Sequence, residues 1–145
     1  MWNKIETESD ISNFMKIMNN LSDSCIKEIK YVSGGYVNED LSMHAQNSKR
    51  YLNICFQRQY SSFSTIELMF HGVKRFNMVP RNEHQDCVIY DSSFIKNQNL
   101  FYWADYEELD ISNIDDYGTL VIADQVYWRS INTGLGDKEI YINNM

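Results

Sequence analysis

Two alternating apolar runs joined by a short polar turn, between Tyr51 and Val73, constrain this chain more than any other stretch. Leu52, Ile54 and Phe56 fall on one side of an extended backbone, and Tyr51, Asn53, Cys55 and Gln57 on the other. Past Ser61, Ser62 and Phe63 the alternation resumes, with Ile66, Leu68 and Phe70 against Glu67, Met69 and His71. Successive side chains leave a strand in opposite directions, so a period of two is the mark of a half-buried antiparallel pair. The stretch predicts a β-hairpin at the centre of a sheet, with Gly72 as the site of a bulge or bend.

Around that hairpin the chain offers one helix. Thr7 or Ser9 can cap it, and Ile11, Phe14, Met15 and Met18 recur at helical spacing as a single apolar stripe, with Glu8 and Asp10 near the positive end. Further strands are expected at Cys25 to Val32, through Leu41, Met43 and Ala45, at Cys87 to Tyr90, at Phe94 and Ile95, and at Leu100 to Tyr106. Leu120 to Ala123 and Val126 to Ile131 are expected to close the fold as a pair turning about Asp124 and Gln125. Pro80 to Gln85, Asp110 to Tyr117 and Thr133 to Asp137 are expected as loops, before an apolar tail at Ile140, Tyr141 and Ile142. One helix with seven or eight short strands predicts an α+β domain, residues 1–145, in which a mostly antiparallel meander forms a curved sheet or partial barrel with the helix packed on it.

Composition excludes several classes of function. Hydrophobic residues make up 43% and aromatics 14% of 145 residues, enough for a real core without a disulfide or metal staple. The formal net charge is -7, with eighteen acidic and basic residues from Val73 onward split twelve to six, so the second half carries most of it. That balance disfavours nucleic acid and anionic membranes, which need clustered Lys and Arg, and favours a basic partner. Cys25, Cys55 and Cys87 have no paired spacing and read as reduced thiols. No run suits a membrane span or a secretory leader, and the expected location is the cytoplasm.

Catalytic chemistry finds little support. His44 and His71 could meet across the sheet with Glu67 nearby as a His, His, carboxylate metal site, but none of the three histidines has a ligand-spaced partner, and the expectation is no metal and no cofactor. Cys55 would need an activating base, and no Gly-x-Ser-x-Gly elbow or phosphate-cradling Gly loop is present. The distinctive stretch is Asp105, Glu107, Glu108, Asp110, Asp115 and Asp116, six carboxylates in twelve residues without a Lys or Arg, flanked by Phe101, Tyr102, Trp103, Tyr106 and Tyr117. It lacks the central Gly and terminal Glu of a calcium loop. Rings can supply contact area while acids steer a basic partner, so Trp103, Asp105, Tyr106, Glu107, Glu108, Asp110, Asp115 and Asp116 are the candidate partner-binding residues. The opposing view has the rings packing inward and the acids simply solvated.

Asp23 to Ile26, Ile66 to Val73 with Phe70 and Gly72, Trp103 to Asp105, and Ile122, Ala123, Trp128 and Arg129 together resemble small, largely uncharacterised bacterial proteins, some of which are similar to immunity proteins of polymorphic toxin systems. Those proteins begin the first strand with a His-Asp pair, whereas Ser22 precedes Asp23 here, and the resemblance carries over no catalytic residue. The acidic second half, the aromatic content and the lack of a catalytic constellation lead to the expectation of a non-enzymatic binding protein, in the manner of an immunity-like inhibitor of a basic protein partner. The alternative is a small-molecule binding or enzymatic domain whose curved sheet encloses a Tyr- and Trp-lined pocket, with Arg129 as an anion anchor.

Overall fold

The computed structural model describes residues 1–132 and 134–143, so Thr133, expected in a loop, lies outside the described residues. The helix forms where the apolar stripe places it. Helix α1 (Glu8–Ile17) begins at Thr7, whose hydroxyl accepts the Asp10 N–H while the Asp10 carboxylate accepts the Glu6 and Thr7 N–H groups at 2.9 and 3.0 Å. These reciprocal bonds satisfy donors that the first helical turn leaves free, and they hold the Asp10 carboxyl below its ordinary pKa.

The strands follow as β1 (Asn3–Ile5), β2 (Ser24–Val32), the outlying hairpin β3 (Tyr36–Val37) and β4 (Met43–His44), β5 (Tyr51–Arg58), β6 (Thr65–Val79), β7 (Ser93–Asn97), β8 (Leu100–Ala104) and β9 (Gly118–Ser130). A short helix α2 (Ile140–Asn143) stands where an apolar tail was expected. Among the described residues seven strands make one antiparallel sheet in the order β2-β5-β6-β9-β8-β7, with β1 also on β9. The sheet is open, ending at β2 and β7.

The hairpin register is the one the alternation demands: Leu52 lies opposite Phe70, Ile54 opposite Leu68, and Phe56 opposite Ile66, all fully buried. Phe14 and Met18 of α1 belong to the same core cluster, and the Phe14 ring meets Trp128 at 5.6 Å and Phe94 at 5.9 Å. One face of the sheet is therefore covered by the helix.

The order departs from a simple meander at β6 and β9, and this corrects the expected closing pair. Leu120 to Ser130 is one strand, running along β6 from Ile66 opposite Ser130 to Val79 opposite Gly118. The apolar alternation does change phase at Asp124 and Gln125, from Val121 and Ala123 to Val126 and Trp128, which looks like a turn in sequence. The partner strand changes phase at the same level. Gly72, at φ +65°, and the register shift between Val73 and Arg75 let β6 follow β9 through the irregularity, so β6 runs on to Val79 rather than ending near Val73. Cys87 to Tyr90 is likewise no strand; only Ile89 pairs, in a single bridge to Ser24 on the outer edge of β2.

Buried Arg58 joins the helix to the hairpin. Its guanidinium donates to the carbonyls of Ser62, Phe63 and Met18 at 3.1, 2.8 and 3.0 Å and lies 4.4 Å from the Tyr60 ring centre. The Met18 carbonyl closes α1, where the helix dipole favours a cation.

Truncating Phe70 to Ala is expected to cost about 3 to 5 kcal/mol, since a core ring is lost and the cavity collapses only in part. Urea denaturation measures it, and a loss below about 1 kcal/mol would mean that the strand faces are reversed.

Candidate functional site

The acidic stretch is a loop tied down at its base and along its underside. Asp105 ends β8 by donating its N–H to the Thr119 carbonyl (3.0 Å) and accepting the Thr119 N–H on its carboxylate (2.9 Å). Residue 118 must be glycine here: φ is +73°, and a Cβ would stand 2.7 Å from the Asp105 Oδ1. Ser93 of β7 fixes the next turn, its hydroxyl donating to the Tyr106 carbonyl (2.7 Å) and accepting the Leu109 N–H (3.1 Å). Leu109, Ile111 and Ile114 then pack with Ala104, Leu120 and Ile122 into a second, smaller core on the sheet face away from α1.

With the apolar residues turned inward, the acids sort by what they touch. Asp105 is structural. Asp110 accepts the Ser112 hydroxyl (2.6 Å) and N–H (3.0 Å), contacts that hold its carboxyl below the ordinary range. Glu107, Glu108, Asp115 and Asp116 are exposed and make no hydrogen bond or ion pair among the described residues. Tyr106 and Tyr117 lie beside them, ring centres 4.6 Å apart, on a cavity of about 360 Å³ whose other wall is Val79, Pro80 and Arg81. Trp103 must be removed from the candidate contacts: it is fully buried, edge-on to Phe56 at 5.4 Å, because its position in β8 faces the α1 core.

A second polar cluster, which the sequence did not reveal, lies on the far face of β5, β6 and β9. Glu67 is buried near the start of β6, and both of its carboxylate oxygens have partners. Oε1 accepts from the Nε of Arg129 (3.0 Å), its partner across the β6–β9 ladder, and lies 2.9 Å from the Nη2 of the same guanidinium as an ion pair, while Oε2 accepts from Tyr141 Oη (2.6 Å) and Asn53 Nδ2 (3.1 Å). The Cys55 thiol donates to Tyr141 Oη at 3.1 Å, and Glu28 accepts the N–H groups of Ile140 and Tyr141, so α2 is fastened over this face. The Arg129 guanidinium stacks 4.2 Å from the Trp2 ring, and a concavity of about 580 Å³ opens among Lys30, Asn53, Glu67, Arg129 and Tyr141.

This cluster is poorly suited to catalysis. Burial raises the Tyr141 hydroxyl far above its usual range, and burial pushes the Cys55 thiol up to about 11, aided by the Glu67 and Glu28 charges, so neither is a ready nucleophile. The histidines do not converge on it. His71 stacks on Tyr51 at 4.2 Å and near Tyr127 at 5.0 Å, its pKa lowered by burial, while His44 stacks on Tyr36 in the outlying hairpin. Among the described residues no three His, Cys, Asp or Glu side chains are grouped to hold a metal.

The sequence did carry a faint sign of the buried pair: Glu67 interrupts an apolar strand, and Arg129 follows Trp128. Reading it required knowing that β6 and β9 are neighbours. No family model, curated protein or solved structure matches the chain.

Because the folded state holds Cys55 protonated up to about pH 11, against an ordinary value of 9.0, the stability this group contributes is complete below pH 9 and lost as pH rises towards 11. Urea midpoints measured across that range are expected to fall more steeply for the native protein than for Cys55→Ala. Parallel curves would contradict the assignment.

Proposed function

We propose that this chain is a non-enzymatic binding protein that recognises a basic protein partner through the 105–117 loop, as an immunity-type inhibitor would. The observation that carries the reading is the arrangement of Glu107, Glu108, Asp115 and Asp116: four exposed carboxylates that make no ion pair among the described residues, on a loop whose backbone is fixed by Asp105, Ser93 and a buried apolar underside. Carboxylates of one sign on one loop favour a partner that supplies Lys or Arg. Anchoring the loop in advance lowers the ordering cost of association. Tyr106 and Tyr117, on the same loop, supply rigid contact area in place of the buried Trp103.

The concavity beside Arg129 favours a second reading, a small-molecule site. Against it stands the ion pair with Glu67, which already neutralises Arg129, the cation expected to anchor an anionic ligand.

The test begins with affinity capture from the native source on the wild-type protein and on a variant carrying Glu107→Gln, Glu108→Gln, Asp115→Asn and Asp116→Asn. The captured protein is expected to be basic. Its association with the variant is expected to be slower at low salt, the difference shrinking as screening shortens the reach of each charge to about 8 Å at physiological ionic strength. Thermal melting is expected to be nearly unchanged, since exposed substitutions usually cost within about 0.5 kcal/mol. Equal association rates at low salt would remove the loop from the interface.

A further inference from the structure

We propose that Cys25 and Cys87 form a reversible disulfide that staples the 80–92 segment to the free edge of β2. This inference is independent of the reading of the acidic loop. The 80–92 segment is bridged to the sheet edge at Ile89, which donates its N–H to the Ser24 carbonyl at 2.7 Å and accepts the Asp23 N–H at 2.8 Å. That bridge sets residues 87–89 antiparallel to residues 24–26. Cys25 is next to one end of the bridge and Cys87 two residues from the other.

Local turn chemistry brings the second thiol round. The Asp86 carboxylate accepts the Val88 N–H at 3.0 Å, which puts Cys87 at the apex of a tight turn and frees its side chain from strand alternation. Arg81 holds that turn by donating to the Asp86 and Val88 carbonyls, each at 2.9 Å. The two sulfurs sense each other: burial raises the Cys25 thiol and the charge of the nearby Cys87 sulfur raises it further. Cys55, the third cysteine, is buried in the far face and committed to Tyr141.

The division of labour follows from exposure. Cys87 is exposed and Cys25 half-buried, so an external oxidant meets Cys87 first. With a small-molecule disulfide as oxidant, the Cys87 thiolate attacks one of its sulfurs, forming a mixed disulfide and expelling one thiolate. The Cys25 thiol then loses its proton and attacks the Cys87 sulfur, expelling the second thiolate. Two protein thiols are oxidised by two electrons and one small-molecule disulfide is reduced to two thiols. Cys87 lines a cavity of about 190 Å³ with Ile26, Ile89 and Asp105, so the staple would fix a wall that borders the base of the acidic loop.

The full chain is equilibrated in buffers of oxidised and reduced glutathione, quenched with acid, alkylated and digested with trypsin, which separates the three cysteines into residues 17–27, 51–58 and 82–96. Expected is an intact mass lower by two hydrogens, a linkage between the first and third peptides, Cys55 recovered alkylated, and no linkage in Cys87→Ser. Cys87 persisting as a glutathione adduct without closure, a linkage through Cys55, or a disulfide-joined dimer as the main product would each overturn the proposal.

Discussion

The pairing of β6 with β9 is the constraint on which the rest depends. Twelve partner pairs join residues 39 to 64 positions apart in sequence, and through them the β2–β5–β6 half and the β7–β8–β9 half become one sheet. Neither half offers α1 a complete surface. Phe14 packs against Trp128 of β9 and Phe94 of β7 while sharing a core with the hairpin residues Phe56, Leu68 and Phe70, so the core under the helix is built from both halves. Closing so long a loop costs entropy before any contact forms, and burial of these side chains, each contributing about 1.5 to 3 kcal/mol, offsets it.

The same pairing decides which charges are spent inside the molecule. Glu67 and Arg129 meet across it, and the desolvation of a buried carboxylate is tolerated because Arg129 pairs with it and Tyr141 and Asn53 donate to it. Arg58 is handled in the opposite way, by carbonyl oxygens and a ring rather than by an anion. What remains unneutralised is on the surface, and its densest run is Glu107, Glu108, Asp115 and Asp116. A loop that buries Leu109, Ile111 and Ile114 while leaving those four acids free is consistent with electrostatic recognition of a partner, and the buried cluster with a structural role.

Local patterns were legible in the sequence and non-local ones were not. The hairpin register, the capped helix and its buried stripe follow from periods of two and 3.6 and from cap chemistry, all of which act over a few residues. The β6–β9 neighbourhood does not follow from any local pattern, and its absence from the reading had two consequences: Asp124 and Gln125 looked like a turn, and the Glu67–Arg129 pair stayed hidden. Trp103 shows a different limit. Alternation gives two faces to β8 but not which face the helix covers, and both faces carry aromatics, with Tyr102 and Trp103 adjacent. Cys87 to Tyr90 has the composition of a strand, yet the Asx turn at Asp86 leaves it only one residue of pairing.

Native-state hydrogen exchange, read residue by residue, tests the central claim most directly. If the two halves are one cooperative unit, the amides of β6 between Ile66 and Phe70 and those of β9 between Val121 and Trp128 are expected to exchange slowest and with the same opening free energy, equal to that of global unfolding. Exchange of β9 with β7 and β8 at a distinctly lower free energy than β5 and β6 would show two sheets that open separately, and would contradict the account.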